Sequence, residues 1–508
     1  MERLKKANFQ AFLVGGCVRD FLRGVKPKDW DIATDARPDQ IQKIFPKSFY
    51  KNKFLTVTVQ ISKLKTENEQ KLEIKEVEIT TFRTEEKYTD KRHPDKVKPA
   101  KTIEEDLSRR DFTVNAMALK LPDPDQPVTL ENLEIIDPFN GKKDLKTKTI
   151  RAVGEPQKRF SEDALRLLRA IRFAVSLEAY SLENLLKKFS PNHEFPINTG
   201  KYLWKIEPKT LKAIKENAHL INFISKERIR DELIKILESP LAYEGFVLLH
   251  QTGLLKYIIP ELEKGVGISQ NRHHIYTIFQ HCLLSLKYAA LYNYNLNVRL
   301  AALFHDIAKP QTKRGEGPDA TFYNHDILGA KFAARILSRL RFPKKTIEKV
   351  ATLIRYHMFF YDPKTVTESS VRRLLRKVGP ENIKELIQLR ICDRKGSGVP
   401  KAKPYRLRHF EYMVSKVSRD PISVKMLKVN GNDVMRILNI KPGPKVGLVL
   451  NALLWEVLEE PKRNKKEYLE KRIKELGQVP DENLREIGKK VEEKKMEIEL
   501  EEKRRFRV

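Results

Sequence analysis

Asp29 and Asp31 are carboxylates one residue apart in the stretch FLVGGCVRDFLRGVKPKDWDIAT, residues 12–34. On a strand, both side chains point the same way. Like charges that close repel unless a cation lies between them, and a divalent metal with oxygen ligands is the usual cation. Two Mg2+ ions held there would activate an attacking hydroxyl and stabilise the pyrophosphate that leaves a nucleotide. Gly15 and Gly16 end an expected strand and open an expected helix, a turn whose N–H groups hold phosphate oxygens. Arg19 adds a forked phosphate contact. Glu78, in VEITTFR on a neighbouring expected strand, is the candidate third acid.

A second set of residues suits a different metal. Six of the eleven histidines lie between 273 and 357. His281 sits in IFQHCLLSL, His305 and Asp306 follow an apolar AALF run, and His325 lies in NHDILGA. His357 lies in LIRYHM and Asp393 in RICDRKG. Neutral imidazole together with carboxylate suits a divalent transition metal. The plainer reading of the same histidines is a helical domain kept for architecture, with satisfied core imidazoles.

The elements that must position these groups follow from patterning. FLVGG, DWDIAT, FLTVTVQI and LEIKEVEITTF read as strands. DFLRG and PDQIQKIF read as short helices, so residues 12–82 form a small mixed α/β unit. From about residue 150 the apolar spacing becomes helical, in FSEDALRLLRAIRFAVSL and SKERIRDELIKILES. Residues 85–101, EEKYTDKRHPDKVKPAK, read as a loop. The last twenty residues form a charge-dense helix or a frayed tail.

Composition narrows the class. Lys and Arg number 99 against 68 Asp and Glu, a net charge of +31 that favours a polyanionic partner such as nucleic acid. Three scattered cysteines with no Cys-x-x-Cys pair argue against a disulfide framework or a cysteine zinc site. No run of 18 apolar residues and no leader pattern are seen, so no membrane partner and a cytoplasmic location are expected.

GGCVRD followed by DWD resembles the core of the class II tRNA nucleotidyltransferases (CCA-adding enzymes) and bacterial poly(A) polymerases. EEDLSRRDFTVNAMAL (104–119), DPFNGKKDL (137–145), RFSEDALRLLRAIRF (159–173) and KERIRDEL (226–233) are similar to the next four motifs of that family. The histidine pattern resembles the HD phosphohydrolase superfamily. The resemblance implies that Asp111, beside Arg110, contacts the nucleotide ribose. Asn115 is grouped with them, local backbone pinning being its plainer role. On one helix Glu162, Asp163 and Arg166 fall within an arc of about 100°. An Asp acceptor beside an Arg donor fits the pairing edges of cytosine and adenine and rejects uracil and guanine. The family assigns that templating role to the residues matching Asp163 and Arg166.

YTDKRHPDKV resembles the loop of full CCA-adding enzymes that members adding only CC lack. After the Asp pair there is no Arg cluster of the poly(A) polymerase kind, and Leu55-Thr56-Val57 departs from the family's usual Gly-Thr-Val. The expected fold is α+β. A nucleotidyltransferase head with a mixed sheet (1–145) precedes a helical neck that reads the base (146–264), an HD domain (265–400) and a helical tail (401–508) that could touch tRNA. The expected reaction is template-independent addition of C, C and A to the tRNA 3′ end from CTP and ATP. The alternatives are a poly(A) polymerase, an A-only enzyme, or chiefly an HD phosphohydrolase acting on RNA ends.

Overall fold

The structure is a computed structural model that describes residues 1–508 apart from 52–54, 61–75, 87–95, 123–131, 179–198, 272–274, 399–402, 419–423, 425–426 and 507–508. Most of YTDKRHPDKV, together with His193, His273 and His274, therefore lies outside the described residues. The described chain divides into two compact units, Met1–Arg355 with Gln388–Pro400, and Tyr356–Ile387 with Lys401–Val508.

The first unit opens on a seven-stranded sheet in the order β3-β4-β5-β2-β1-β8-β9. Its strands are β1 (Ala11–Val14), β2 (Asp31–Thr34), β3 (Ser48–Lys51), β4 (Thr56–Gln60), β5 (Glu76–Thr81), β8 (Ala118–Lys120) and β9 (Glu134–Ile136). β6 (Arg83–Glu86) and β7 (Lys96–Pro99) pair separately. Only β2 and β5 run parallel within the large sheet, which makes it mixed. Period-2 alternation sets the faces. In β5, Val77 and Ile79 are buried with Ile41, Val57 and Val59, while Glu76 and Glu78 are exposed. A slip of one residue would bury Glu78, so the apolar pattern fixes the register that matters for chemistry.

The early helices are α1 (Glu2–Lys6), α2 (Gly16–Leu22), α3 (Pro38–Ile44), α4 (Ile103–Ser108) and α5 (Gly141–Lys146). Next come α6 (Pro156–Glu162) and α7 (Leu165–Ser176), and further helices include Lys226–Glu238, Ile278–Leu291, Leu296–Phe304, His325–Arg339 and Ile383–Gly396. The apolar positions of α7, Leu167, Leu168, Ile171, Ala174 and Val175, are all fully buried.

In the second unit, the helices Gly431–Leu438, Pro444–Glu459, Lys466–Gly477 and Asp481–Phe506 close around Val434, Val449, Leu453, Leu469, Ile473 and Leu484. The charge-dense C-terminal sequence is thus part of a helix whose first half packs through Leu484, Ile487 and Val491, while Met496 and Leu500 are exposed. Among the described residues no helix is long and apolar enough to cross a membrane.

Leu55, which stands where the family pattern has glycine, adopts φ +52° immediately before β4. A side chain there crowds the backbone. Leu55→Gly is expected to stabilise the head by about 1 kcal/mol, because relief of that crowding outweighs the added freedom of the unfolded chain. The midpoint of chemical denaturation checks this.

Candidate active site

Asp31 opens β2, and Asp29 lies in the bend two residues earlier, so the two acids do not share one strand as the spacing suggests. The sheet supplies the alignment instead. β2 and β5 pair in parallel with Asp31 directly beside Glu78. Burial raises the Asp31 pKa above the ordinary carboxylate value; Glu78 and Asp29 push it the same way, and the Arg110 guanidinium opposes them. Asp31, with two further acids beside it, forms a site whose crowded negative charge a hard divalent cation would relieve.

The Gly-Gly turn faces this cluster for steric reasons. Gly15 caps α2 at φ +77°, and a Cβ placed on it would come within 2.7 Å of Arg110 Nη1. Glycine thus allows both the turn and the close approach of Arg110. Arg110 is held in turn by Asp106, at 3.2 Å. Arg19 is held by Asp20 at 2.8 Å and donates to Asn115 Oδ1 at 2.6 Å.

After Asp111 the chain makes a 3-10 turn, Thr113–Asn115. That turn folds Asn115 back, so its amide donates to Asp111 Oδ1 at 3.1 Å. Arg169 of α7 grips the other oxygen, with Nη2 at 2.6 Å and Nε at 2.8 Å. Burial alone would raise the Asp111 pKa, but Arg169 and the Asn115 amide hold it well below the carboxylate range. Asp111 is therefore a fixed anion and a fixed acceptor. Arg19, Arg169 and Arg172 all lie over the Phe173 ring, at 5.4, 5.2 and 3.6 Å from its centroid.

The motif expected to be one helix is broken. α6 ends at Glu162, Asp163 is extended (φ −135°, ψ 104°), and α7 starts at Leu165. The expected arc of Glu162, Asp163 and Arg166 therefore does not form: Asp163 lies in extended backbone between the two helices, where its Oδ1 accepts from Leu165 N–H at 3.0 Å. Arg166 is buried and pairs with Glu162 at 2.8 Å; it also donates to the carbonyls of Arg159 and Arg109, both at 3.1 Å. The ion-pair partner of Asp163 is Arg228, at 2.9 Å, from the fifth motif.

The histidine cluster is assembled by four separate segments. His281 lies in the helix Ile278–Leu291, and Asp393 in Ile383–Gly396. His305 and Asp306 follow the end of Leu296–Phe304, and His325 opens His325–Arg339. The Nε2 atoms of His281 and His305 are 3.0 Å apart. Asp306 lies 3.3 and 3.4 Å from them, and Asp393 3.3 and 3.7 Å. His325 Nε2 reaches the other oxygen of Asp306 at 3.5 Å. His305 and His325 donate from Nδ1 to the carbonyls of Ala302 and Phe322, at 2.9 and 2.6 Å, which turns Nε2 toward the cluster. Lys309 also reaches Asp306, at 2.6 Å. Burial would lower the His305 pKa, but Asp306 and Asp393 raise it to about 10. Two imidazoles and two carboxylates with that pull on positive charge fit a divalent ion. His357 is buried and belongs to the second unit.

Arg169 and Arg228 were not singled out from the sequence. Both lie in quoted motifs, but arginine is so frequent here that residue type alone carries little signal.

Three family models match the chain: poly A polymerase head domain over residues 11–151, probable RNA and SrmB-binding site of polymerase A over 204–265, and HD domain over 278–395. The A-adding tRNA nucleotidyltransferase of Deinococcus radiodurans is 30% identical over 459 residues, 87% of this chain and 90% of that one. The CCA-adding enzyme of Geobacillus thermodenitrificans is 30% identical over 491 residues, 95% and 97% of the two chains. Other CCA-adding enzymes match over about half their length. The crystal structure of the Bacillus stearothermophilus CCA-adding enzyme in complex with CTP aligns over 95% of this chain and 96% of that one, with 27% identity and a TM-score of 0.55.

Proposed function

The chain belongs to the tRNA nucleotidyltransferase and poly(A) polymerase family with an HD domain, and from that premise we propose that it adds C, C and A to the 3′ end of tRNA from CTP and ATP without a nucleic-acid template. The carrying observation is the register that sets Asp31 beside Glu78, with Asp29 close enough to raise the Asp31 pKa.

These acids would hold Mg2+, which would supply charge neutralisation at the α-phosphate and the leaving pyrophosphate. The chain's own residues do the rest. The Gly15–Gly16 turn and Arg110 cradle phosphate oxygens beside the acids. Asp111, clamped by Arg169 and Asn115, accepts from a ribose hydroxyl and so prefers ribonucleotides. Asp163 accepts from the exocyclic amine that cytosine and adenine share, while Arg166 and Glu162 lock the α6–α7 break that presents it. The 3′-OH of tRNA attacks the α-phosphorus, its O–P bond forms, and the bond to pyrophosphate breaks. The basic helical regions, the tail among them, would hold the acceptor arm by its phosphates.

The His281–His305–Asp306–Asp393 cluster, with His325 as a further donor, would bind a divalent transition metal and cleave phosphoesters. The supporting observation is the convergence of four donors from three separate segments: His281, the adjacent His305 and Asp306, and Asp393.

An A-only enzyme is the second reading, because the A-adding relative is as similar as the CCA-adding one of matching length. The test is incubation with Mg2+ and tRNAs ending at the discriminator base, at C and at CC, each with one labelled nucleotide. Addition of C, C and then A, with UTP and GTP refused, is the expected result. ATP addition to the CC-ended tRNA alone would make it an A-adding enzyme. Long A tails on any RNA would make it a poly(A) polymerase. No addition would sink the reading.

A further inference from the structure

A cavity of about 390 Å3 lies in the first unit. Its walls are the C-terminal end of α2 with Arg23, the helix α5 with Lys142 and Lys146, and Trp204. None of these residues belongs to the acid cluster or the histidine cluster. The Gly15–Gly16 turn opens α2 and Arg23 closes it, so seven residues of helix, about 10 Å, separate the cavity from that turn.

Four cations and one acid line the cavity. The acid, Glu178, is already committed: Lys148 reaches it at 3.2 Å, and the Trp204 indole N–H donates to it at 3.3 Å. Arg23, Lys142 and Lys146 remain. Among the described residues the side chains of Lys142 and Lys146 have no acidic partner. Arg23 pairs with Asp20 at 3.1 Å, but Arg19 shares that carboxylate. Arg23 gives it one N–H, and its other side-chain N–H groups have no acceptor among the described residues. The guanidinium lies over the buried Trp204 ring, 5.7 Å from the centroid, which holds it in place. Burial lowers the Arg23 pKa from the usual guanidinium value and Asp20 offsets part of that, so a further anion would stabilise the charge.

Helix ends alone do not account for these cations. Arg23 and Lys146 each complement the C-terminal dipole of a helix. Lys142 does the opposite: it is the second residue of α5, where the dipole disfavours a cation. Lys148 adopts φ +52° just past the same helix, a conformation that glycine or asparagine normally supplies. Two local preferences are broken within one short segment, and both breaks place a lysine on this cavity. That is the pattern expected of a functional site.

We infer that the cavity binds a polyphosphate chain, free or carried on a nucleoside, at a site separate from the catalytic one. The Arg23 fork takes phosphate oxygens, and Lys142 and Lys146 supply further charge. Three cations in one cavity match a chain of phosphates better than a single one. Leu22, Val25 and Leu145 line the rest, and the volume is that of a small-molecule site. The inference does not depend on the assigned reaction.

The experiment uses the full chain with EDTA present, so that no Mg2+ bridges the ligand to Asp29 and Asp31. Tripolyphosphate and GTP are titrated by calorimetry into wild type, the double variant Lys142→Gln with Lys146→Gln, and Arg23→Lys. Binding at the Gly15–Gly16 turn is common to all three proteins, so the difference between them reads the cavity. The wild type is expected to bind one equivalent that each variant binds about 10-fold or more weakly, the range for loss of charge-assisted contacts. Its affinity should fall as salt rises. GTP binding tighter than tripolyphosphate would assign the apolar lining to a base, and equal affinities would assign the site to the phosphate chain alone; both results support the inference. The thermal midpoint and kcat/KM for tRNA extension should be unchanged in the double lysine variant.

Equal affinity in wild type and the double lysine variant would overturn the inference. A raised KM for tRNA with tripolyphosphate binding unchanged would also overturn it and make the two lysines an RNA contact. If Arg23→Lys does not fold, the double variant decides alone, because both of its lysines are exposed.

Discussion

Asp31→Ala is expected to abolish nucleotide addition, with a loss of about 1,000-fold or more in kcat, while leaving metal uptake at the histidine cluster intact. Asp31 is the most constrained of the three acids. It opens β2, pairs in register with Glu78 on β5, and is the one whose proton affinity the others raise. Removing it takes away the carboxylate that bridges the bend at Asp29 to the neighbouring strand. Folding should survive, because the side chain is only partly buried and supports no core contact. Asp31→Asn is the companion variant: it keeps the volume and removes the charge, so a matching loss assigns the effect to charge. Single-turnover extension of a tRNA, with equilibrium CTP or ATP binding alongside, separates the chemical step from affinity. Retained addition in both variants would remove this cluster from the reaction.

Asp306→Asn is expected to cost the histidine cluster its divalent metal, and any phosphoester cleavage with it, while nucleotide addition persists. Asp306 is buried and touches His281, His305, His325 and Lys309. The asparagine variant is preferred to alanine because its amide oxygen can still accept from the nearly buried Lys309; both variants take away that ammonium's carboxylate, at a cost of about 3–5 kcal/mol. Metal content after equilibration with Mn2+, Co2+, Ni2+ or Zn2+ gives the primary measurement. The pH dependence follows from His305. Its pKa is raised to about 10, so near neutral pH a proton sits on a nitrogen that a metal needs bare. Metal binding must expel that proton, so apparent affinity should strengthen as pH rises toward 10. Titration calorimetry in buffers of different ionisation enthalpy should show proton release. Full metal content in Asp306→Asn would exclude this cluster as the metal site, and affinity independent of pH would exclude a protonated His305 in the metal-free cluster.

Much of the head was legible in the sequence because its signals are local. Alternating apolar residues gave the strands, the Gly-Gly pair marked the turn, and acid spacing marked the cluster. The helical neck followed from 3.6-residue periodicity. That periodicity did not show the break at Asp163, which lies in its extended backbone and its bond to Leu165 N–H. The histidines were legible as donors by type, yet their convergence depends on four segments spread over more than a hundred residues.

The sequence by itself determined which residue types are present for the chemistry and which elements carry them: acids near a Gly-Gly turn, an Asp–Arg-rich neck, and imidazoles with carboxylates on or beside helices. Tertiary structure alone decided the partnerships. Asp31 meets Glu78 through a parallel strand pairing 47 positions apart in register, Asp111 meets Arg169 across the turn, and Asp163 meets Arg228 instead of Arg166. The physical reason is that a charged side chain chooses its partner by proximity and geometry in the folded chain. Among 99 basic and 68 acidic residues, sequence spacing cannot specify that choice.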